Sequence, residues 1–149
     1  MLRRSYMKRM VIVGLALLVL ALPLMAAHAF VGPEKCKMCH KVEYTSWQAT
    51  KHAKAWNSLK PAEQSDAKCT GCHSTNLPAM TGVSCEACHG AGGDYWKMSV
   101  MKDQKLAIQN GLVLPTKELC EKCHNKKSPT FKGFDYEKSK GLVHDVKKK

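Results

Sequence analysis

Outside residues 10–25 the 149-residue sequence has few long apolar runs. A chain of this composition builds only a modest apolar core, which excludes a fold held up by its own side chains alone. Alternation of β-branched residues at period two is missing from the cysteine-bearing regions, which argues against a sheet-based domain. No tandem repeat is present beyond short cysteine motifs. Arginine stops at Arg9. Beyond residue 29 the positive charge is carried by 20 lysines against 12 acidic residues, a formal +8. Such an excess suits nucleic acid or an acidic partner.

The amino terminus narrows that choice. Arg3, Arg4, Lys8 and Arg9 precede the apolar stretch Met10 to Met25, and Ala27-His28-Ala29 supplies a small-x-small pattern. This predicts a secretory signal peptide over residues 1–29, cleaved after Ala29, so that His28 leaves with it. The apolar run is short for a membrane span; left uncleaved, it would act as an anchor. Export predicts a periplasmic protein of one domain, residues 30–149, and argues against nucleic acid as partner.

Cysteine usage decides the class. All eight cysteines fall in pairs of one spacing, Cys36/Cys39, Cys69/Cys72, Cys85/Cys88 and Cys120/Cys123, each followed at once by a histidine: His40, His73, His89 and His124. This is the pattern of c-type haem attachment. Cysteines three apart share one face of a helical turn, so both can form thioethers to one porphyrin. The next residue then turns its imidazole to the iron as proximal ligand. A disulfide framework or a pair of zinc sites gives no reason for a histidine after every second cysteine. The expectation is four covalent haem c groups, one per motif. Their eight propionates would roughly offset the lysine excess, so the lysines need not mark a partner.

The predicted fold is mainly α: a small haem-centred fold with short helices, long loops and stacked haem pairs. A helix is expected over Lys35 to Leu59, ending before Pro61. Pro61 to Asp66 reads as a linker or short helix, and Ser74 to Gly82 as loop. Short helices are expected over Val83 to His89, Gly92 to Met101, Asp103 to Gln109 and Phe134 to His144. Gly111 is a candidate C-cap, and Thr116 a candidate cap for the helix bearing the fourth motif. The tail, residues 147–149, reads as disordered.

Each iron needs or lacks a sixth ligand. Two histidines lower the potential, methionine raises it, and an open position admits small molecules. Beyond the four proximal histidines only His52 and His144 remain in residues 30–149, so at most two irons can be bis-histidine within one chain. Met38, Met80, Met98 and Met101 are the methionines of that region.

The stretch Ser46-Trp47, Thr50, His52-Ala53-Lys54-Ala55 and Ser58-Leu59-Lys60-Pro61 resembles the tetrahaem cytochrome c-554 family. So does Thr81-Gly82-Val83 before Cys85-Glu86, Cys88-His89-Gly90, and so does the order of four motifs. The resemblance runs from about Lys35 to His144. It implies closely packed haems in stacked pairs, with His52 and His144 each donated as distal ligand to a haem other than that of the nearest motif. The family carries a third distal histidine about ten residues after the third motif. This chain has none there; Met98 is the candidate substitute, with Met101 second. The resemblance also implies a five-coordinate haem at Cys69, Cys72 and His73.

Three functions fit these residues. The first is a periplasmic carrier relaying electrons between redox proteins, with exposed lysines steering acidic partners. The second is an enzyme acting on a small nitrogen species at an open haem, although no clear acid–base pair accompanies the second motif. The third is a subunit of a larger cytochrome complex or filament. Membrane association would come only through a quinol-linked complex or a retained signal.

Overall fold

The computed structural model describes residues 28–146. The predicted signal peptide up to residue 27 and the tail from residue 147 lie outside the described residues. The chain is mainly helical, and its helices are short. In chain order they are α1 (Pro33–Lys37), α2 (Lys41–Gln48), α3 (Ala67–His73), α4 (Cys85–His89), α5 (Met98–Met101), α6 (Gln104–Gln109), α7 (Lys117–Glu121) and α8 (Tyr136–Ser139). Single 3-10 turns at Ala55–Ser58, Glu63–Ser65 and Lys140–Leu142 lie between or after them.

The long helix expected over Lys35 to Leu59 is broken into α1, α2 and a 3-10 turn. The first break falls at His40 (φ −110°, ψ 53°), where the chain leaves one helix to enter the next. The second follows Gln48. There the Thr50 hydroxyl donates to the Trp47 carbonyl at 2.7 Å and accepts from the Ala53 amide at 3.3 Å, competing with helical backbone bonding. The loop expected over Ser74 to Gly82 contains a small antiparallel ladder, β1 (Ser74–Asn76) on β2 (Met80–Thr81). Only Met98–Met101 of the helix expected from Gly92 is helical. The last expected helix is a single turn, α8, running on into a 3-10 turn.

The caps expected at Thr116 and Gly111 are present, and aspartates cap three further helices. Asp66, Asp103, Thr116 and Asp135 each accept a backbone N–H as N-caps, replacing bonds a helix start otherwise lacks. Gly111 (φ 97°) follows α6; its amide reaches the Ile108 carbonyl and that of Leu112 reaches Ala107. These are the paired bonds of a Schellman end.

The apolar core is thin. Among the described residues only Tyr44, Tyr95 and Ala107 are buried apolar side chains. Met38, Val42, Met98, Leu106, Ile108, Val113 and Leu114 are among the large apolar residues left exposed. Polar bonds take over part of the work. Glu86 is 3% exposed, and its carboxylate accepts the amides of Val31 at 2.9 Å, Gly32 at 2.8 Å and Gly92 at 2.7 Å. One acid within the third motif thus ties down both the segment before α1 and the segment after α4.

That leading segment reaches back to His28. The Gly93 amide donates to the Ala29 carbonyl at 2.8 Å, His28 Nδ1 lies 2.5 Å from Asp94 Oδ2, and the His28 ring rests over Gly111. Scission after Ala29 would remove these contacts. A chain beginning at Phe30 should therefore melt below one beginning at His28, and scanning calorimetry of the two holoproteins would check it. Glu86→Ala strands three N–H groups, two on the leading segment and one at buried Gly92, and should cost about 1–3 kcal/mol, read as a lower midpoint in denaturant unfolding.

Candidate haem sites

Each motif sits at the end of a short helix, as two cysteines on one face require. α1 and the turn after it carry Cys36, Cys39 and His40; α3 carries Cys69, Cys72 and His73; α4 carries Cys85, Cys88 and His89; α7 and its turn carry Cys120, Cys123 and His124. All eight cysteines are free thiols, with no disulfide among them.

The motifs lie close to one another in a definite order. The Cys36 thiol is pushed far above its ordinary range, first by a hydrogen bond with Cys85 and then by burial; Cys85 is correspondingly lowered. Cys123 is pushed up to about 12, by burial first and then by Cys72. Cys88 is raised by burial, with a further contribution from Cys120. First and third motifs are therefore neighbours, as are second and fourth, and the third also adjoins the fourth.

Distant segments bring further histidines to these motifs. The rings of His52 and His124 are 5.8 Å apart, centre to centre. Those of His89 and His144 are 6.3 Å apart. His52 is held in place from the chain segment after β2. Val83 N–H donates to the His52 carbonyl at 2.9 Å, and Trp47 Nε1 donates to the Val83 carbonyl at 2.9 Å. Gly82 (φ 85°) lets the two backbones meet, since a Cβ there would stand 2.6 Å from the Ala53 oxygen. His144 is delivered by the C-terminal segment, whose Asp145 amide donates to Ser46 Oγ on α2 at 2.8 Å.

Nδ1 of several imidazoles is already engaged. The backbone oxygen of Ala55 lies 2.9 Å from His73 Nδ1, with Ser58 Oγ at 3.2 Å. Val113 O lies 3.2 Å from His89 Nδ1, and Asp145 O lies 2.7 Å from His144 Nδ1. Such bonds orient a ligand imidazole and leave Nε2 free for a metal. His52 and His89 both have lowered pKa values, from burial first; a nearby histidine, His124 and His144 respectively, adds to the effect. Burial so favours the neutral imidazole, the form that binds iron.

These residues fit haem. With metal–imidazole bonds of about 2 Å on either side, one iron spaces two ring centres by about 6 Å, which matches both histidine pairs. The exposed apolar side chains around the motifs are suited to flat apolar macrocycles. His40 and His73 have no second imidazole ring against them among the described residues. Met98 stands 59% exposed at the start of α5.

Some contributors were not legible beforehand. Phe134 stacks on His124 at 4.7 Å and 15°, although the two are ten residues apart. Glu86 was visible only as a letter inside the third motif. An acid between two attachment cysteines, followed by glycines at 90, 92 and 93, is the signal that could have marked it.

Fold, cysteine pattern and paired imidazoles are those of the multihaem c-type cytochromes, the class in which haem c is held covalently through C-x-x-C-H motifs. Residues 35–90 match the model of the family described as cytochrome c554 and c-prime. Cytochrome c-554 of Nitrosomonas europaea (strain ATCC 19718) is 33% identical over 121 residues, covering 62% of this chain and 51% of that relative. The chain thus spans about half the length of the curated relative it matches. The solved reduced state of cytochrome c554 from Nitrosomonas europaea matches with a TM-score of 0.63 at 25% identity, over 81% of this chain and 86% of that one. Within the class, the chain is thus similar to cytochrome c-554, in sequence over residues 35–90 and in fold over most of its length.

Gly82→Ala forces a Cβ against the Ala53 backbone and a side chain into left-handed φ, a strain of about 1–2 kcal/mol. His52 should shift away from His124. The expected result is a rise in high-spin signal from one haem in electron paramagnetic resonance, with the other haems unchanged.

Proposed function

We propose that this protein is a periplasmic electron relay carrying four haem c groups, one at each motif. His40, His73, His89 and His124 serve as proximal ligands. His144 is the distal ligand of the third haem and His52 that of the fourth. When bound, the haems supply reversible one-electron chemistry at iron. The observation that carries the reading is the adjacency of the motifs, first beside third, third beside fourth and fourth beside second. That order supports an unbroken path from one end of the molecule to the other, with partners docking at different faces.

The chain's own residues do the positioning. The carbonyls of Ala55 and Val113 hold His73 and His89 in the orientation a ligand needs. Burial around His52 and His89 keeps their imidazoles neutral and basic toward iron. Lys122, Lys126, Lys127 and Lys132 are exposed near the fourth motif, whereas Lys117, Lys138 and Lys140 pair with acids three or four residues away. The former set suits an acidic redox partner, with attraction that weakens as salt rises. No helix among the described residues is long and apolar enough to cross a membrane.

An enzyme acting at an open second haem is the rival reading. The polar groups against His73, Ser58 Oγ and Ala55 O, engage its Nδ1. They orient a ligand on the proximal side and offer no acid or base to a substrate on the other. The relay is accordingly preferred.

A pyridine haemochrome count with intact mass, followed by electron paramagnetic resonance, tests the relay. Four haems per chain are expected, at least two of them low-spin bis-histidine. Fewer than four would sink the tetrahaem reading. Turnover of a small nitrogen species at a high-spin haem, comparable in rate to electron exchange, would favour the enzyme.

A further inference from the structure

The third and fourth motifs each bring two imidazoles face to face, but the two pairs are held in different ways. We propose that Phe134 is a positioning residue for the fourth haem: its ring sets the plane of His124, keeps it crossed with the plane of His52, and so holds the potential of that haem above the third. This rests on the four-haem reading above and deepens it.

At the third motif both rings are fixed by carbonyls. His89 Nδ1 lies 3.2 Å from Val113 O, and His144 Nδ1 lies 2.7 Å from Asp145 O. The two ring planes are 40° apart. A carbonyl on Nδ1 makes the other ring nitrogen a stronger donor, which favours ferric iron and lowers its potential. Among the described residues, neither ring at the fourth motif, His52 or His124, meets a hydrogen-bond acceptor of the protein. His124 has the Phe134 ring instead, stacked at 4.7 Å and 15°. Its own plane stands 64° from that of His52. Among the described residues no other histidine carries a phenylalanine, tyrosine or tryptophan ring against it, so the device belongs to the fourth motif alone.

A ring stacked flat on an imidazole opposes its rotation, because turning the imidazole drives its edge into the neighbouring face. Phe134 can act in this way because it is itself anchored. It directly precedes Asp135, the N-cap of α8. Two residues on, the Tyr136 hydroxyl donates to the Pro115 carbonyl at 3.4 Å. Pro115 leads through Thr116 into α7, which carries the fourth motif. The stacked ring and the imidazole beneath it are thus mounted on one local frame.

The consequence is directional. Aligned imidazoles split the iron orbitals that face them and stabilise the ferric state; crossed imidazoles do so less. Crossed planes and unbonded Nδ1 atoms therefore act in the same sense at the fourth haem, and aligned, hydrogen-bonded rings act in the opposite sense at the third. An electron on the third haem is passed to the fourth. These two motifs join the first–third pair to the second–fourth pair, so the gradient sits at the junction that every electron crossing the molecule must pass.

Holoprotein variants Phe134→Leu, Phe134→Met and Phe134→Tyr provide the test, with His52→Ala and His144→Ala to assign the spectra. Haem number and attachment at each motif are measured first, by pyridine haemochrome and peptide mass mapping. Electron paramagnetic resonance and redox titration follow. In the unaltered protein the fourth haem should give the single large-g feature of crossed imidazoles, lost in His52→Ala. The third should give a rhombic signal at smaller g, lost in His144→Ala, and should titrate at the lower potential. Phe134→Leu and Phe134→Met keep apolar bulk but remove the ring. Each should shift the large-g feature toward a rhombic one and lower that haem's potential toward the third's, with the third unchanged. Phe134→Tyr keeps the ring and should retain both properties. Two rhombic signals in the unaltered protein, a fourth haem titrating below the third, or a large-g feature that survives loss of the ring overturns the assignment and leaves the four-haem relay standing. The first two of these outcomes need no Phe134 variant to fold. A haem count below four, with the fourth site filled and its signal altered as expected, overturns the relay count and leaves Phe134 in place. An empty fourth site overturns both.

Discussion

The fold depends on having almost no apolar core of its own. Among the described residues a tyrosine at 44, another at 95 and an alanine at 107 are the buried apolar side chains. So few buried groups cannot offset the conformational entropy lost by ordering well over a hundred residues. Covalently attached macrocycles resolve this. Each offers a large flat apolar surface, and each pair of thioethers staples it to a short helix. The shortness of the helices follows. They need only carry a C-x-x-C-H turn, not bury a continuous stripe, so one or two turns suffice.

The same constraint bears on the histidines that cross between motifs. Under the proposed ligation, an imidazole brought in from far along the chain would clamp a haem between segments that side-chain packing would not hold together. His52 meets His124 across the molecule, and His144 meets His89. Each such clamp is itself positioned by backbone: Gly82 and Val83 against His52 and Ala53, the Asp145 amide on Ser46. Glu86 performs the comparable service without a metal, gathering three amides at the third motif. The contacts that tie the motifs together are thus also the ones that hold the chain.

The caps at Thr116 and Gly111 were readable because they are local. Thr116 accepts from the amide three residues ahead, and Gly111 adopts the positive φ that ends α6. The single long helix expected through the first motif was not found. Helical composition between residues 35 and 59 is outweighed by the turn at His40 and by the Thr50 hydroxyl bonding. Likewise the β1–β2 ladder needs a pairing partner that composition does not reveal.

By itself the sequence determined the cofactor chemistry, because attachment requires two thiols three residues apart with an imidazole next to them, and every one of those relations is local. It also determined that residues 30–149 hold only two histidines outside the motifs, since that is a matter of counting. Which motif His52 and His144 each face, which motifs are neighbours, and that the stretch around Trp96 lies over Lys35 were decided only in three dimensions. Those relations join residues as much as seventy-two positions apart along the chain, as His52 and His124 are, and depend on how loops close around surfaces that no local pattern encodes.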